Sequence, residues 1–379
     1  MSQLVWKGPK GYEEFFRLLE EKGAKRLFLV CDKALPFLPL DHFFEGLKKR
    51  NISLYSFNDF DANPRYESVV KGVEAFRRCG AGMIAAIGGG SAMDVAKCIK
   101  LYSNMDPSRS YLEQEIAPNG VELLAIPTTA GTGSEATRYA VIYDRGEKQS
   151  VTHPSCVPSL VLFDPALLRT LPEYQKKSAM LDALCHGIES AWSLHSTPES
   201  LEYSFAAIQK ALAWMEPYLA GKDDAAEEML LAANLAGKAI NITQTTAAHA
   251  MSYKLTSFYG LAHGHSAALC LPPLWRHMRE HPENCVDPRG TGHLAKIFGR
   301  LERAMSCPEG KTGEEFFREL LRRLDLKAPE KWSHEDIPAL AASVNPVRLK
   351  NNPVTLDIAA LERLYRDILT EGEEKEDGC

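Results

Sequence analysis

Between Ala86 and Lys97 the chain reads AIGGGSAMDVAK, three consecutive glycines set where an apolar run, MIAAI (Met83 to Ile87), gives way to a helical pattern. Gly88, Gly89 and Gly90 strip the backbone of side chains, so that N–H groups can approach a phosphate. The helix that follows turns its positive N-terminus toward the same anion, and Ser91 stands where it can cap that helix. Asp94 and Lys97 fall on the next turns, where they can brace the loop. A tight strand-to-helix turn would use the same glycines, so the context has to decide.

That context is a regular alternation. RLFLVC (Arg26 to Cys31) is an apolar run fit for a buried strand, followed by a helical stretch around Phe43 to Lys49 and by ISLYSF (Ile52 to Phe57). A helix over Glu67 to Arg78 then leads into MIAAI. Strands alternating with helices in this way predict βαβ units and a parallel, Rossmann-like sheet. A second loop, AIPTTAGTGSEAT (Ala125 to Thr137), follows another apolar strand, ELLAIP. Its Thr128, Thr129, Thr132 and Ser134 offer hydrogen-bond donors without bulk, as a pyrophosphate–ribose–nicotinamide path requires. A polar loop with capping duties is the plainer alternative. Two such loops on one sheet favour a dinucleotide. Asp32, just after the first of these strands, can accept hydrogen bonds from an adenosine ribose and would repel a 2′-phosphate. NAD is therefore expected over NADP, although an Asp in a surface turn would look the same.

After about Pro172 the strand-like runs vanish and long helical patterns take over, as in SAMLDALCHGIESAW and EEMLLAANLAGKAI. The expectation is an α/β dinucleotide-binding domain over residues 1–172 and an all-α, metal-binding domain over 173–379, with a cleft between domains as the default place for a ligand. The formal net charge of −6 argues against a nucleic-acid or anionic-membrane partner. No apolar run approaches the ~20 residues that span a bilayer, and the charged N-terminus lacks the apolar stretch of a signal peptide. Nine cysteines without a CxxC pair suit reduced thiols, and so a cytoplasmic protein. The acidic tail from Glu371 to Cys379 reads as solvated and mobile.

In the helical half, LDALCHGIES places Asp182 and His186 four residues apart, on one face of a helix and able to share an ion. HAMSYKLTSFYGLAHGH carries His249 and His263. One straight helix would separate these two by ~20 Å, but Gly260 and Gly264 suggest that the helix breaks and the chain returns. One carboxylate and three imidazoles suit Fe²⁺ or Zn²⁺. An N-cap and ordinary surface histidines would account for the same residues one by one. His265 should point elsewhere if His263 is a ligand.

With these segments in view, the chain resembles the iron-containing, or group III, alcohol dehydrogenases. The matching pieces are GGGSAMDVAK, IPTTAGTGSEAT, LFDPALLRTLP, LDALCHGIES and HAMSY…GLAHGHSAAL. The resemblance implies a dinucleotide-binding domain followed by a helical domain, and places Gly88 to Ser91 with Thr128, Thr129 and Thr132 on the cofactor. It matches Asp182, His186, His249 and His263 to the metal ligands, puts Lys148 near the cofactor ribose, and associates Asp32 with NAD. Two departures stand out. Where the family commonly has a histidine four residues after the third ligand, this chain has Tyr253. Where it often has glycine two residues before the ligand aspartate, this chain has Met180. LAGKAINITQTTAAHAMSY and SEATRYAVIY look closer to one branch than to the family at large, a branch that resembles the phosphonoacetaldehyde reductases, which make 2-hydroxyethylphosphonate. Its dianionic substrate would need cations, for which Arg138 and Lys238 are candidates, although ordinary surface or salt-bridge roles would account for both equally well.

The expected chemistry is metal-assisted hydride transfer between NAD(H) and a small alcohol or aldehyde, with Tyr253, a ribose hydroxyl or water moving the proton. A neutral short-chain substrate is the nearer alternative. A dehydroquinate synthase-like lyase, also using NAD and a metal, is the farther one, and its ligand pattern would be richer in glutamate and lysine. A homo-oligomer, most simply a dimer, is the expected assembly.

Overall fold

The computed structural model describes residues 3–371. They form two compact units, one running to Pro172 and taking in Ala220–Leu230, the other made of Glu173–Leu219 and the chain from Leu231 on. The acidic tail beyond Glu371 lies outside the described residues. Among the described residues no helix is long and apolar enough to cross a membrane, and every cysteine is a free thiol.

The first unit runs β1 (Leu4–Lys7), α1 (Gly8–Glu21), β2 (Arg26–Cys31), α2 (Asp41–Lys49), β3 (Ser53–Phe57), α3 (Tyr66–Cys79), β4 (Met83–Gly88), α4 (Gly90–Tyr102), β5 (Glu122–Pro127), β6 (Tyr139–Asp144), β7 (Glu147–Thr152) and β8 (Leu160–Phe163). Six strands form one sheet in the order β1-β8-β5-β4-β2-β3, parallel throughout. The interior strands are the unbroken apolar runs of the sequence. Every residue of β4 and β8 is buried, as is all of β2 except Arg26. A parallel strand covered on both faces has no reason to alternate. The edge strands β1 and β3 keep most of their residues exposed or half-buried. The antiparallel hairpin β6–β7 stands apart from this sheet.

β2 has β3 on one side and β4 on the other, so the chain reverses its direction of travel across the sheet at the β2/β4 boundary. Ligands of open α/β sheets bind outside the carboxyl ends of strands at such a point. The ends of β2, β4 and β5 there carry Asp32, Gly88 and Thr128. One expectation changes. Gly89, in extended conformation, is the N-cap of α4 and no side chain caps it, so Ser91 enters the first turn rather than capping the helix.

The second unit is helical: α5 (Glu173–Trp192), α6 (Pro198–Leu219), α7 (Asp223–Thr243, whose first turns to Leu230 fall in the first unit), α8 (Ala247–Tyr259), α9 (His263–Glu280), α10 (Thr291–Ala304), α11 (Gly313–Arg323), α12 (Asp336–Ala342), α13 (Pro346–Leu349) and α14 (Ile358–Thr370). α5 is its central element, packed on α6, α9 and α10. From Met180 to Trp192 every residue of α5 is buried, Asp182, His186 and Glu189 among them. These three repeat at i, i+4 and i+7 and form one polar stripe on a helix with no solvated face. Ionisable groups buried in this way need partners.

Candidate functional site

At the carboxyl ends of the sheet the two expected loops lie against each other. The Thr128 N–H donates to the Gly88 carbonyl at 3.1 Å. A Cβ on Gly89 would sit 3.4 Å from Thr129 Cγ2, and one on Gly90 3.1 Å from Thr132 Cγ2. At Gly88 a Cβ would come within 2.6 Å of Ala92 Cβ and 2.9 Å of Asp32 Oδ2, so a side chain there would push β4 away from Asp32. The other Asp32 oxygen accepts from the Ala34 N–H at 2.9 Å. Asp32 thus makes the local turn its position suggested and also borders the glycine loop.

Lys97 is the strut between these loops. Fully buried, its ammonium donates to the Ser134 carbonyl at 2.6 Å, Ser134 Oγ at 2.9 Å, Thr137 Oγ1 at 3.1 Å and the Tyr139 carbonyl at 2.7 Å. Burial pulls its pKa down while Asp94 opposes the shift. Asp94 accepts from Ser134 Oγ at 3.1 Å and from the Val141 N–H at 3.0 Å. Its carboxyl is raised by burial, against the charges of Lys97 and Lys148. Asp94 is therefore turned onto the second loop and the start of the hairpin. Lys148, on β7, lies opposite Tyr143 in the hairpin register.

In the helical unit, three imidazoles converge on one carboxylate oxygen. Asp182 Oδ1 is 3.3 Å from His249 Nε2, 4.0 Å from His186 Nε2 and 4.0 Å from His263 Nε2. Ligand atoms of Asp182, His249 and His263 all lie within 4.8 Å of one another. His186 lies flat against His249, ring centroids 4.4 Å apart and planes 14° from parallel. Asp182 sits inside a helix, so it is no N-cap. Burial opposes its ionisation, yet the neighbouring His186, His249 and His263 hold its carboxyl below the ordinary range. One carboxylate and two imidazoles, those of Asp182, His249 and His263, lie close enough together to share a divalent cation, with His186 stacked beside them.

Two glycines make the convergence. Gly260 closes α8 in the left-handed conformation (φ 69°), and α9 starts at His263. The break occurs there alone. Gly264 lies inside the first turn of α9, where a Cβ would run into the Ser178 carbonyl of α5 and sit 2.7 Å from Asp182 Cβ. It brings α9 onto the backbone of α5 and His263 beside Asp182. His265 is buried and takes no place in the cluster. Its Nδ1 pairs with Tyr174 Oη at 3.1 Å, and burial lowers its pKa to about 4.

The sequence reading missed Glu189. This fully buried carboxylate receives the Thr246 N–H at 3.0 Å, Thr246 Oγ at 2.7 Å and the His249 N–H at 3.3 Å, and it pairs with His249 Nδ1. It closes the N-terminus of α8, where a negative charge is favoured. It also fixes the His249 ring with Nε2 toward Asp182. Burial disfavours a charged His249, but Glu189 and Asp182 together raise its pKa to about 10. The available signal was the i+7 spacing from Asp182 along α5.

Tyr253 stacks on His263, centroids 5.6 Å apart and planes within 6°. Arg138 lies over the Tyr139 ring, its guanidinium carbon 5.6 Å from the centroid, with Nε donating to Tyr139 Oη at 3.3 Å. Lys238 lies over Tyr203. Met180 is buried on α5.

Comparison with known proteins accounts for both units. Residues 3–165 match the family model of the iron-containing alcohol dehydrogenases. Residues 177–369 match the C-terminal model of the same family. The chain is 35% identical over 330 residues to a phosphonoacetaldehyde reductase of Streptomyces viridochromogenes, covering 83% of this chain and 82% of that one. It is 27% identical over 384 residues to lactaldehyde reductase of Escherichia coli, covering 96% and 97%. Its fold matches the crystal structure of an iron-containing alcohol dehydrogenase from Thermotoga maritima with a TM-score of 0.81, at 27% identity, over 97% of this chain and 98% of that one. This protein belongs to the iron-containing alcohol dehydrogenase family, oxidoreductases of alcohols and aldehydes.

Proposed function

We propose that the protein reduces a short aldehyde bearing an anionic group, phosphonoacetaldehyde in the first place, to the alcohol, using NADH and a divalent metal, Fe²⁺ or Zn²⁺. The observation that carries the metal-dependent part of this reading is the convergence of three imidazole nitrogens on Asp182 Oδ1, and the anionic aldehyde rests on the likeness to a phosphonoacetaldehyde reductase. The donor chemistry fits such an ion, because carboxylate and imidazole are its usual ligands and the far nitrogen of His249 already has Glu189. Asp182, His186, His249 and His263 would hold it. When bound, the ion supplies Lewis acidity at the substrate oxygen and the nicotinamide supplies the hydride.

The chain's own residues do the rest. Gly88, Gly89 and Gly90 open the backbone to the pyrophosphate, with Ser91 in the first turn of α4 and Thr128, Thr129 and Thr132 alongside. Asp32 takes the adenosine ribose, Lys148 faces the other ribose, and Asp94 and Lys97 keep the two loops in register. Tyr253, a ribose hydroxyl or a water chain would move the proton at the substrate oxygen, and the stacking of Tyr253 on His263 supports the first. Arg138 supplies a guanidinium to the substrate's anionic end. A homodimer is the simplest assembly consistent with the family.

The test is an aldehyde panel assayed with NADH and NADPH, before and after chelation and reloading with Fe²⁺ or Zn²⁺. Phosphonoacetaldehyde with NADH should give a kcat/KM at least roughly tenfold above propanal, about 1.4 kcal/mol of discrimination, and chelation should abolish it. His263→Ala should lose metal and turnover together while keeping its fold. Turnover by a demonstrably metal-free protein defeats the reading. Asp32→Gly should shift preference toward NADPH by removing the repulsion of a 2′-phosphate. A wild type that already prefers NADPH contradicts the role given to Asp32. Arg138→Ala should raise KM for the anionic aldehyde and spare propanal.

A further inference from the structure

Beside the histidine cluster lies a cation that neither the sequence reading nor the family likeness singles out. Arg348 stands on α13, which packs against α8. Its guanidinium carbon lies 5.2 Å from the centroid of the Tyr253 ring, and its Nη1 donates to Tyr253 Oη at 3.4 Å. The same tyrosine is the ring stacked on His263. A permanent cation, an aromatic plane and an imidazole of the candidate metal set therefore form one continuous run within the helical unit.

Among the described residues no carboxylate neutralises the charge of Arg348. Arg276, Arg279, Arg289 and Arg318 of the same unit each hold a carboxylate. Arg348, half-buried, makes no ion pair with any carboxylate among the described residues. A guanidinium stacked on an aromatic ring and tethered through a phenol oxygen is already ordered, so capture of an oxyanion loses little side-chain freedom. The guanidinium is no farther from the His263 ring than the two stacking separations laid end to end. A two- or three-carbon aldehyde, with its polar ends and their contacts, spans that interval.

We infer that Arg348 is a specificity-determining residue that binds the anionic end of the substrate while the carbonyl end lies at Asp182, His249 and His263. The class it selects is a short aldehyde ending in a phosphonate, sulfonate or carboxylate. Tyr253 sets the direction of the cation, and a guanidinium fork suits the oxygens of a tetrahedral dianion. The inference rests on the proposed reduction of an anionic aldehyde and adds the residue that reads the anion.

The experiment compares wild type, Arg348→Ala and Arg348→Lys, all metal-loaded and with NADH, on phosphonoacetaldehyde and on propanal. Binding of 2-hydroxyethylphosphonate is measured calorimetrically on the same proteins, which reads recognition without turnover. Arg348→Ala should raise KM for phosphonoacetaldehyde and Kd for 2-hydroxyethylphosphonate by roughly ten- to a hundredfold, the range of one charged hydrogen-bonded pair. Its kcat/KM for propanal should stay within about twofold of wild type. Arg348→Lys keeps the charge without the fork and should fall between them. Equal losses on both aldehydes would make Arg348 a scaffold residue and overturn the inference. So would an unchanged KM for phosphonoacetaldehyde in Arg348→Ala where the wild type prefers that aldehyde, with the proposed function left standing. A wild type that prefers propanal defeats the anionic-substrate reading itself, and the inference with it.

Discussion

Glu189 shows how much one residue can carry when it is buried without water. Its two oxygens meet four donors, three of them at the N-terminus of α8 and one on the His249 ring. Removing the carboxylate leaves those donors buried and unpaired, each at about 1–3 kcal/mol. Glu189→Ala should therefore destabilise the helical unit markedly. Glu189→Gln separates positioning from folding, since its amide oxygen can still cap α8 while the charge facing His249 Nδ1 is lost. Outer-shell partners of metal-binding histidines typically contribute 10- to 100-fold in affinity. The expected result for Glu189→Gln is a near-native unfolding midpoint with Zn²⁺ affinity, read by competition with a chelating dye, lower by about that factor. Rescue by Glu189→Asp would show that the charge matters more than the reach. An unchanged affinity in Glu189→Gln would reduce Glu189 to a helix cap.

Among the elements, the close crossing of α5 and α9 sets the geometry, and Gly264 permits it. A methyl group at 264 meets the Ser178 carbonyl, which is backbone and cannot rotate away, together with Asp182 Cβ. Gly264→Ala should push α9 off α5, costing about 1–3 kcal/mol as overpacking does and carrying His263 away from Asp182. The measurements are a urea midpoint and metal stoichiometry on one preparation. Full stoichiometry at wild-type stability would mean that the crossing tolerates the methyl. The pattern of elements was largely legible beforehand. β2, β3, α3 and β4 announce themselves through continuous apolar runs and turn residues, and Asp182 with His186 follows from helical spacing. What local periodicity could not carry was pairing at a distance. β1 joins β8 across the length of the first unit, Glu189 finds Thr246 and His249 on another helix, and Arg348 reaches Tyr253 from a helix of four residues. Ser91 misled for a smaller reason. A glycine in extended conformation began the helix two residues ahead of it.

At the scale of the whole molecule, the proposed site is built only in the native state, so it would couple metal binding to stability. Asp182 and His186 come from α5, His249 from α8 and His263 from α9, so the unfolded chain has no comparable cluster and the ion favours the folded form. With free metal at a hundred times its dissociation constant the gain is about 2.7 kcal/mol. For a unit of this size each kcal/mol moves the midpoint by roughly 2–4 °C. Chelation should therefore lower the melting temperature by roughly 5–10 °C, and each tenfold rise in free Zn²⁺ above the dissociation constant should restore about 1.4 kcal/mol. His263→Ala separates the terms, because its ring is partly exposed, with 38% of the side chain accessible, so little packing is lost with it. That variant should melt near the chelated wild type and respond weakly to added metal. Free thiols that bind Zn²⁺ after unfolding would shrink the wild-type response without reversing its sign. A melting temperature indifferent to metal over the whole titration, in a protein that binds it stoichiometrically, would mean that the cluster is not where the ion sits.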